Sequence, residues 1–348
     1  MPNGTIMKKV TIKDIAKIAG VNNSTVSRAL AGHPHISKEK KQIIRKIAEE
    51  LKYFPNDLAK GLRIKVTHSV GLIIPDIQNP FYPAVTRGIE DRLNSEDYNV
   101  LLGNSDYDPN KEKKYLNLLL SKQVDGFIIF PSTIKTEVYD ILKQCRIPFV
   151  FVDYTPKNYN ANYVYTDHEI GAYIAVKHLI ENNHNQIILY VEQGKEISSV
   201  QHMEIGYRRA MKEEGIKIQP WFIYSGSLQE RNALEEKTFN LLKNRANFPF
   251  TAILCASDVI ARSFYEVAPR LNLRIPVDIS IIGYDNTFIC TSLTPQLTSV
   301  NQPGYELGSQ AAELLLKHLK KDTECEYQTI RFSPRLIKRQ SVAKIKPD

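Results

Sequence analysis

Asn23, Ser24, Thr25, Ser27 and Arg28 place five polar side chains within six residues, on what reads as the outer side of a short helix. Amides and hydroxyls of this size reach base edges in a DNA major groove, and a guanidinium one turn later reaches a base or a phosphate. A second set lies far along the chain, where Asp76, Asp153, the pair Ser257-Asp258 and Asp285 each end a short apolar run. Carboxylates so placed accept hydrogens from a polar ligand. With His168, His178, His184 and His202 they could also suggest acid–base pairs. No nucleophile elbow, phosphate-cradling Gly-rich loop or metal-ligand spacing accompanies them, so neither catalysis nor a cofactor or metal is expected.

The first set needs a small rigid unit to present it. Thr11 is the expected N-cap of a first helix, with Asp14 three residues on. Ile12, Ile15, Ala16 and Ala19 then fall on one apolar face. Gly20 supplies a sharp turn, and Asn22 caps the second helix, in which Val26 and Leu30 face inward. Ser37 caps a third helix whose Ile44, Ile47, Ala48 and Leu51 repeat the stripe and close a core. Residues 54–63 follow, with an apolar edge of Leu58, Ala59 and Leu62 beside the basic Lys60, Arg63 and Lys65. So short a helix is marginal alone. Two of them in a dimer could bury that edge and push Leu62 into a minor-groove base step.

Charge agrees. Residues 1–66 hold 14 Lys and Arg against 5 Asp and Glu, leaving 32 against 33 for the remainder. A basic patch confined to one small domain is the electrostatic footprint of nucleic-acid binding. At 348 residues and 43% hydrophobic content the chain exceeds one compact domain. No apolar run approaches the ~18 residues of a membrane span, and the N-terminus lacks the apolar core of a secretory signal. Cys145, Cys255, Cys290 and Cys325 are scattered, as expected of thiols in a reducing compartment. A cytoplasmic protein is expected.

The second set needs strands. Apolar runs at 70–75, 100–103, 126–130, 149–153, 187–191, 222–224, 252–255 and 279–284 alternate with helical stretches at 83–93, 111–120, 171–181 and 205–214. Such alternation predicts parallel sheets in two doubly wound lobes. Ligands of these folds bind beyond the carboxyl ends of strands, where the aspartates sit.

Four spaced blocks between Val10 and Leu62 resemble the LacI/GalR (lactose-repressor) family of bacterial transcription regulators. They are Val10-Thr-Ile-x-Asp-Ile-Ala, Ala19-Gly-Val, Thr25-Val-Ser-Arg-Ala-Leu and Tyr53-x-Pro-Asn-x-x-Ala-x-x-Leu62. The resemblance implies a helix-turn-helix head in which Asn23, Ser24 and Arg28 read bases. Thr11, Asn22, Thr25, Ser27, His35 and Ser37 would hold phosphates, Asn56 would join the DNA contacts, and Leu62 with Arg63 would work in the minor groove. Ala31 departs from the family's frequent Asn, which removes one polar contact near the end of the second helix.

The body resembles the same family, whose fold is shared with periplasmic sugar-binding proteins. The matching stretches are Gly71-Leu-Ile-Ile-Pro-Asp76-Ile-x-Asn79-Pro-Phe81-Tyr82, Gln123-Val-Asp-Gly126, Asp258, Ile281-Ile-Gly-Tyr-Asp285-Asn and Pro295-Gln-Leu-Thr-Ser-Val. The expected architecture is an all-α helix-turn-helix DNA-binding head at 8–53, a hinge helix and linker at 54–67, and an α/β body of two doubly wound, periplasmic-binding-protein-like lobes at 68–343. The lobes are expected at about 68–166 plus 299–328 and 167–298 plus 329–343. By resemblance a small effector, a sugar or sugar phosphate, lies between the lobes, with Phe81 and Tyr82 packing on a ring and Asp153 and Asp285 accepting hydroxyl or amine hydrogens. Three effector positions depart from the family's residues: Met203 replaces an Arg, Ser257 a frequent Asn, and Leu228 a stacking aromatic. Met cannot fork onto a carboxylate or a diol as Arg does, so a monosaccharide held in the usual way is less expected.

The resemblance implies a homodimer that represses a catabolic operon by reading a palindromic, double-stranded operator. The segment from Ser341 onward has no leucine heptads that would make a tetramer. The alternative is a catabolite-control regulator answering to a phosphorylated carrier protein. Residues 71–125 are similar to that branch, but Thr294 stands where it has a basic residue. A transport-linked binding protein, the remaining rival, fits the body and not the basic head.

Overall fold

The computed structural model describes residues 10–53, 66–132, 137–153, 159–192, 198–226, 231–320 and 326–346. Two compact units divide at Thr67 and His68. In the first, α1 (Ile12–Ala19), α2 (Asn23–Leu30) and α3 (Lys38–Glu50) close around Ile15, Ala16, Val26, Ala29, Ile44 and Ala48. Ala29 takes the fully buried place, and Leu30, expected inward, packs at the core's margin. Gly20 ends α1 at φ 64°, a left-handed conformation that a side chain rarely adopts. The Asp14 carboxylate accepts the Thr11 backbone N–H at 2.8 Å, the bond expected of that spacing.

The second unit holds two six-stranded sheets. The first lobe runs β1 (Ser69–Ile74), α4 (Phe81–Asn94), β2 (Asn99–Asn104), α5 (Pro109–Ser121), β3 (Gly126–Ile129), α6 (Glu137–Cys145), β4 (Phe149–Val152) and β5 (Asn162–Thr166). The second runs α7 (His168–Glu181), β6 (Ile187–Glu192), α8 (Ser198–Glu213), β7 (Ile223–Gly226), α9 (Arg231–Lys243), β8 (Ala252–Cys255), α10 (Asp258–Val267), β9 (Ser280–Asp285), α11 (Ile289–Ser292) and β10 (Thr298–Asn301). The chain then returns with α12 (Gly304–Leu319) and β11 (Thr329–Phe332), and ends in β12 (Arg335–Ile337). Strand orders are β2-β1-β3-β4-β5-β11 and β7-β6-β8-β9-β10-β12, the same winding twice. Only the last strands differ, since β11 joins β5 in parallel and β12 joins β10 antiparallel.

The central strands are apolar throughout because helices cover both faces of each sheet. In β1 the successive residues Leu72 and Ile73 belong to different cores on opposite faces. Gly88 of α4 lies against α12, where an added Cβ would stand 2.0 Å from the Tyr305 carbonyl oxygen. Gly206 of α8 lies against α7 in the same way, 2.0 Å from the Glu169 carbonyl oxygen.

The expected lobe boundaries shift at two places. Residues 299–301, expected in the first lobe, pair with β9 and so belong to the second. Residues 329–332 pair with β5, which puts them in the first lobe and not the second. The chain therefore crosses between lobes three times, at Asp167, at 302–303 and at 333–334.

Candidate nucleic-acid interface and ligand cleft

In the head, Asn22 caps α2. Its Oδ1 accepts the Thr25 backbone N–H at 2.8 Å, the Thr25 hydroxyl at 2.7 Å and the Ser24 hydroxyl at 2.8 Å. Three of the expected DNA contacts are thus tied into one cluster at the helix start. Asn22, Asn23, Ser24 and Arg28 are exposed, while Thr25 and Ser27 are half-buried. Thr11 is also exposed, and its hydroxyl donates to Asp14 at 2.7 Å. Ser37 accepts the Lys40 N–H at 3.3 Å and starts α3, and both it and His35 are exposed. The helix start that carries Asn22, Asn23 and Ser24 offers backbone N–H groups and a positive dipole end to a phosphate. Asn56, Leu62 and Arg63 lie outside the described residues.

Between the lobes of the body is a cleft, partly open to solvent. Phe81, Tyr82, Asp153, Met203, Ser257 and Asp285 all line it, so six of the seven expected effector residues come together. Leu228 lies outside the described residues. Phe81 and Tyr82 begin α4 and pack edge-on at 5.3 Å, and Tyr82 meets Phe130 edge-on at the same separation. Ser257 lines the cleft at the N-cap of α10, where its hydroxyl already accepts the Ile260 N–H at 3.2 Å.

The two cleft aspartates hold equivalent places, Asp153 just after β4 and Asp285 at the end of β9, each the fourth strand of its lobe. Both have positive φ, 57° and 100°. Asp153 Oδ1 lies 2.5 Å from His168 Nε2, and His168 Nδ1 lies 3.2 Å from the Tyr284 hydroxyl. Burial, reinforced by Asp153 and Asp285, pushes the Tyr284 phenol well above its ordinary value. It therefore keeps its proton, and the His168 ring links it to Asp153 through its two nitrogens. Asp285 Oδ1 accepts the Gln302 side-chain N–H at 2.7 Å. His168 and Gln302 both stand at chain crossings between the lobes, so each cleft carboxylate is bonded to a connecting segment.

Sequence reasoning considers His168 only as a possible base, and misses Gln302, Asn79 and Tyr107, which also line the cleft. No local pattern marks them, since their role follows from where the chain crosses. Asp258 is the opposite case. It is fully buried and accepts from Thr287 N at 2.6 Å, Thr287 Oγ1 at 2.9 Å and Ser299 Oγ at 2.7 Å, fixing the turn after β9. Burial raises its carboxyl above the ordinary range, against the pull of these donors. It does not line the cleft.

A profile for bacterial regulatory proteins of the lacI family matches residues 11–56, and one for the periplasmic binding protein-like domain matches residues 176–342. Over 331 residues the chain is 34% identical to the HTH-type transcriptional regulator RegA of Clostridium saccharobutylicum, spanning 95% of this chain and 98% of the relative. The chain belongs to the lacI family. It is likewise 36% identical over 314 residues to catabolite control protein A of Priestia megaterium, covering 90% of this chain and 94% of that protein. A LacI family regulator of Enterococcus faecium, solved with bound ribose, superposes with a TM-score of 0.71 at 31% identity, over 80% of this chain and all of that one. As a lacI-family member, the protein is a DNA-binding transcription regulator and not an enzyme. Among the described residues no helix is long and apolar enough to cross a membrane.

Proposed function

We propose that the protein is a cytoplasmic, homodimeric repressor of a catabolic operon, whose paired α2 helices read an inverted repeat. A small, carbohydrate-related effector in the interlobe cleft controls it by fitting one lobe arrangement better than another. The observation that carries this reading is the division of the chain. A basic head exposes Asn22, Asn23, Ser24 and Arg28 at one helix, and a separate body closes paired carboxylates and aromatics into a cleft. Selection on random duplexes should enrich a palindromic site, with affinity falling steeply as salt rises. Enrichment of a non-palindromic site, or a flat salt profile, would sink it.

A phosphorylated carrier protein as co-effector is the second reading, favoured by the 36% identity to catabolite control protein A. Operator affinity that rises with a serine-phosphorylated carrier protein and no small ligand would move the control from the cleft to the surface.

A further inference from the structure

His168 stands where the chain first crosses between the lobes, and its ring is bonded on both sides. Nε2 meets Asp153 Oδ1 of the first lobe at 2.5 Å, and Nδ1 meets the Tyr284 hydroxyl of the second lobe at 3.2 Å. The two partners differ in freedom. Tyr284 is fully buried in β9. Gly171, three residues into α7, leaves room for its hydroxyl, since an added Cβ there would stand 2.0 Å from that oxygen. The Asp153 side chain is 12% exposed and borders the cleft, so a ligand can reach it. The residue before His168 fastens this crossing to another. Asp167 caps α7 by accepting the Ile170 N–H at 3.0 Å, and its backbone N–H donates to the Phe332 carbonyl at 3.0 Å. Its carboxylate pairs with Arg331, so the first crossing is tied to the strand that leads into the third, at 333–334. A hinge motion at the crossings changes the span between Asp153, carried by one lobe, and Tyr284, carried by the other. When that span grows, a single ring keeps at most one of its two bonds. A bond made in one lobe arrangement and lost in another shifts the ratio of the two by its own worth, about tenfold for a charge-assisted hydrogen bond.

We propose that His168 is the positioning residue that couples the cleft to the lobe arrangement. Bonded to both lobes at once, it holds the arrangement seen here, and a ligand that engages Asp153 alters operator affinity through it. The inference rests on the reading of a cleft effector that controls operator binding, and names the residue through which that control passes.

Amide hydrogen exchange and operator titration of the full chain test it, with an operator selected from random duplexes. His168→Phe keeps a ring in place and removes both bonds. Exchange should then quicken about tenfold at all three crossings, residues 166–168, 302–304 and 332–335, and stay unchanged in the head. Operator affinity should change about tenfold, while binding to non-operator duplex holds. His168→Gln, whose amide offers a donor and an acceptor in place of the two ring nitrogens, should restore both readouts. Tyr284→Phe, which deletes one hydroxyl, should move affinity in the same direction and add nothing to His168→Phe. Faster exchange confined to α7 overturns the proposal, as does an operator affinity of His168→Phe within about twofold of the unaltered chain, because either marks a bond that only stabilises. Additive effects of the two variants overturn it as well. Should His168→Phe fail to melt cooperatively, Tyr284→Phe decides by the same two readouts. No enriched duplex, or operator binding that no neutral sugar, sugar phosphate or nucleoside alters, would count against the cleft-effector reading itself, and the exchange pattern would still judge His168.

Discussion

Each lobe ends its fourth strand in an aspartate facing the same cleft, yet the two are held differently. Asp153 is bonded to His168, a side chain that can itself take a proton, in a chain that reaches across to Tyr284 of the other lobe. Asp285 is bonded to Gln302, which cannot titrate, and its backbone is the more extreme of the two at φ 100°. Behind Asp285 a buried carboxylate, Asp258, fixes the following turn. The same winding has thus placed the same residue type twice, and the second lobe surrounds its copy with more fixed polar bonds. Duplicated topology sets where a ligand group can sit, while the neighbours decide how firmly the site is held.

The comparison breaks most readily at Asp258. Asp258→Ala strands three donors, two on half-buried Thr287 and one on buried Ser299, and should cost about 3 kcal/mol, by the penalty for unsatisfied buried groups. Thermal melting should show the second lobe loosening first, and a uniform single transition shifted by less than about 1 kcal/mol would deny Asp258 that role. Next, Gly88→Ala and Gly206→Ala test whether the lobes are equivalent where helices touch. Each added Cβ would meet a carbonyl oxygen at 2.0 Å. Both variants should therefore lose about 1–3 kcal/mol, the usual cost of overpacking. Unequal losses in urea titrations would show that the two helix pairs adapt differently.

Ser257→Ala removes the cap of α10. It should cost about 1 kcal/mol, the usual worth of an N-cap, measured by the same titration. Smaller still is the effect of relieving the backbone. A φ of 100° strains Asp285, a residue that bears a side chain. Asp285→Gly should therefore leave stability unchanged or raise it by up to about 1 kcal/mol, despite the lost Gln302 bond. Asp153→Gly should not gain, since its φ of 57° lies in the left-handed well that Asp tolerates.

Acid should also distinguish the lobes. Burial lowers the pKa of His184, which bonds Thr251 and Ala343, and of His178, both in the second lobe. These groups are neutral when folded and bind protons more readily when unfolded. Their contribution is therefore present above the ordinary value of 6.5 and is lost as pH falls from there through the lowered folded value. Melting the second lobe from pH 8 to 5 should show that decline, and His184→Gln should flatten it.

The head was the more legible part of the molecule. Its caps, turn and apolar stripes lie within a few residues of one another, so spacing alone predicts Asn22 as a cap and Val26 as core. The cleft was legible only in part. Asp153, Asp285, Phe81 and Tyr82 sit at ends of elements that apolar runs and the family resemblance announce. His168 and Gln302 sit on crossings, and those are visible only when strands 162–166, 298–301, 329–332 and 335–337 are paired. These strands are rich in Asn, Thr, Ser and Arg, and β5 finds β11 only across the whole length of the second lobe, so no local apolar run declares them. The error in the lobe boundaries has the same origin.

The threefold crossing of the chain also bears on the order in which the molecule can form. The head is complete once residue 53 has left the ribosome and can fold at once. The first lobe cannot be. Its sheet lacks an edge strand, and α4 lacks the helix that covers it, until residues 304–332 arrive, after almost all of the second lobe has been made. The second lobe in turn awaits β12. During synthesis a finished DNA-reading head is therefore joined for many seconds to an unfinished sensor, and neither lobe can be excised by a single cut in the gene.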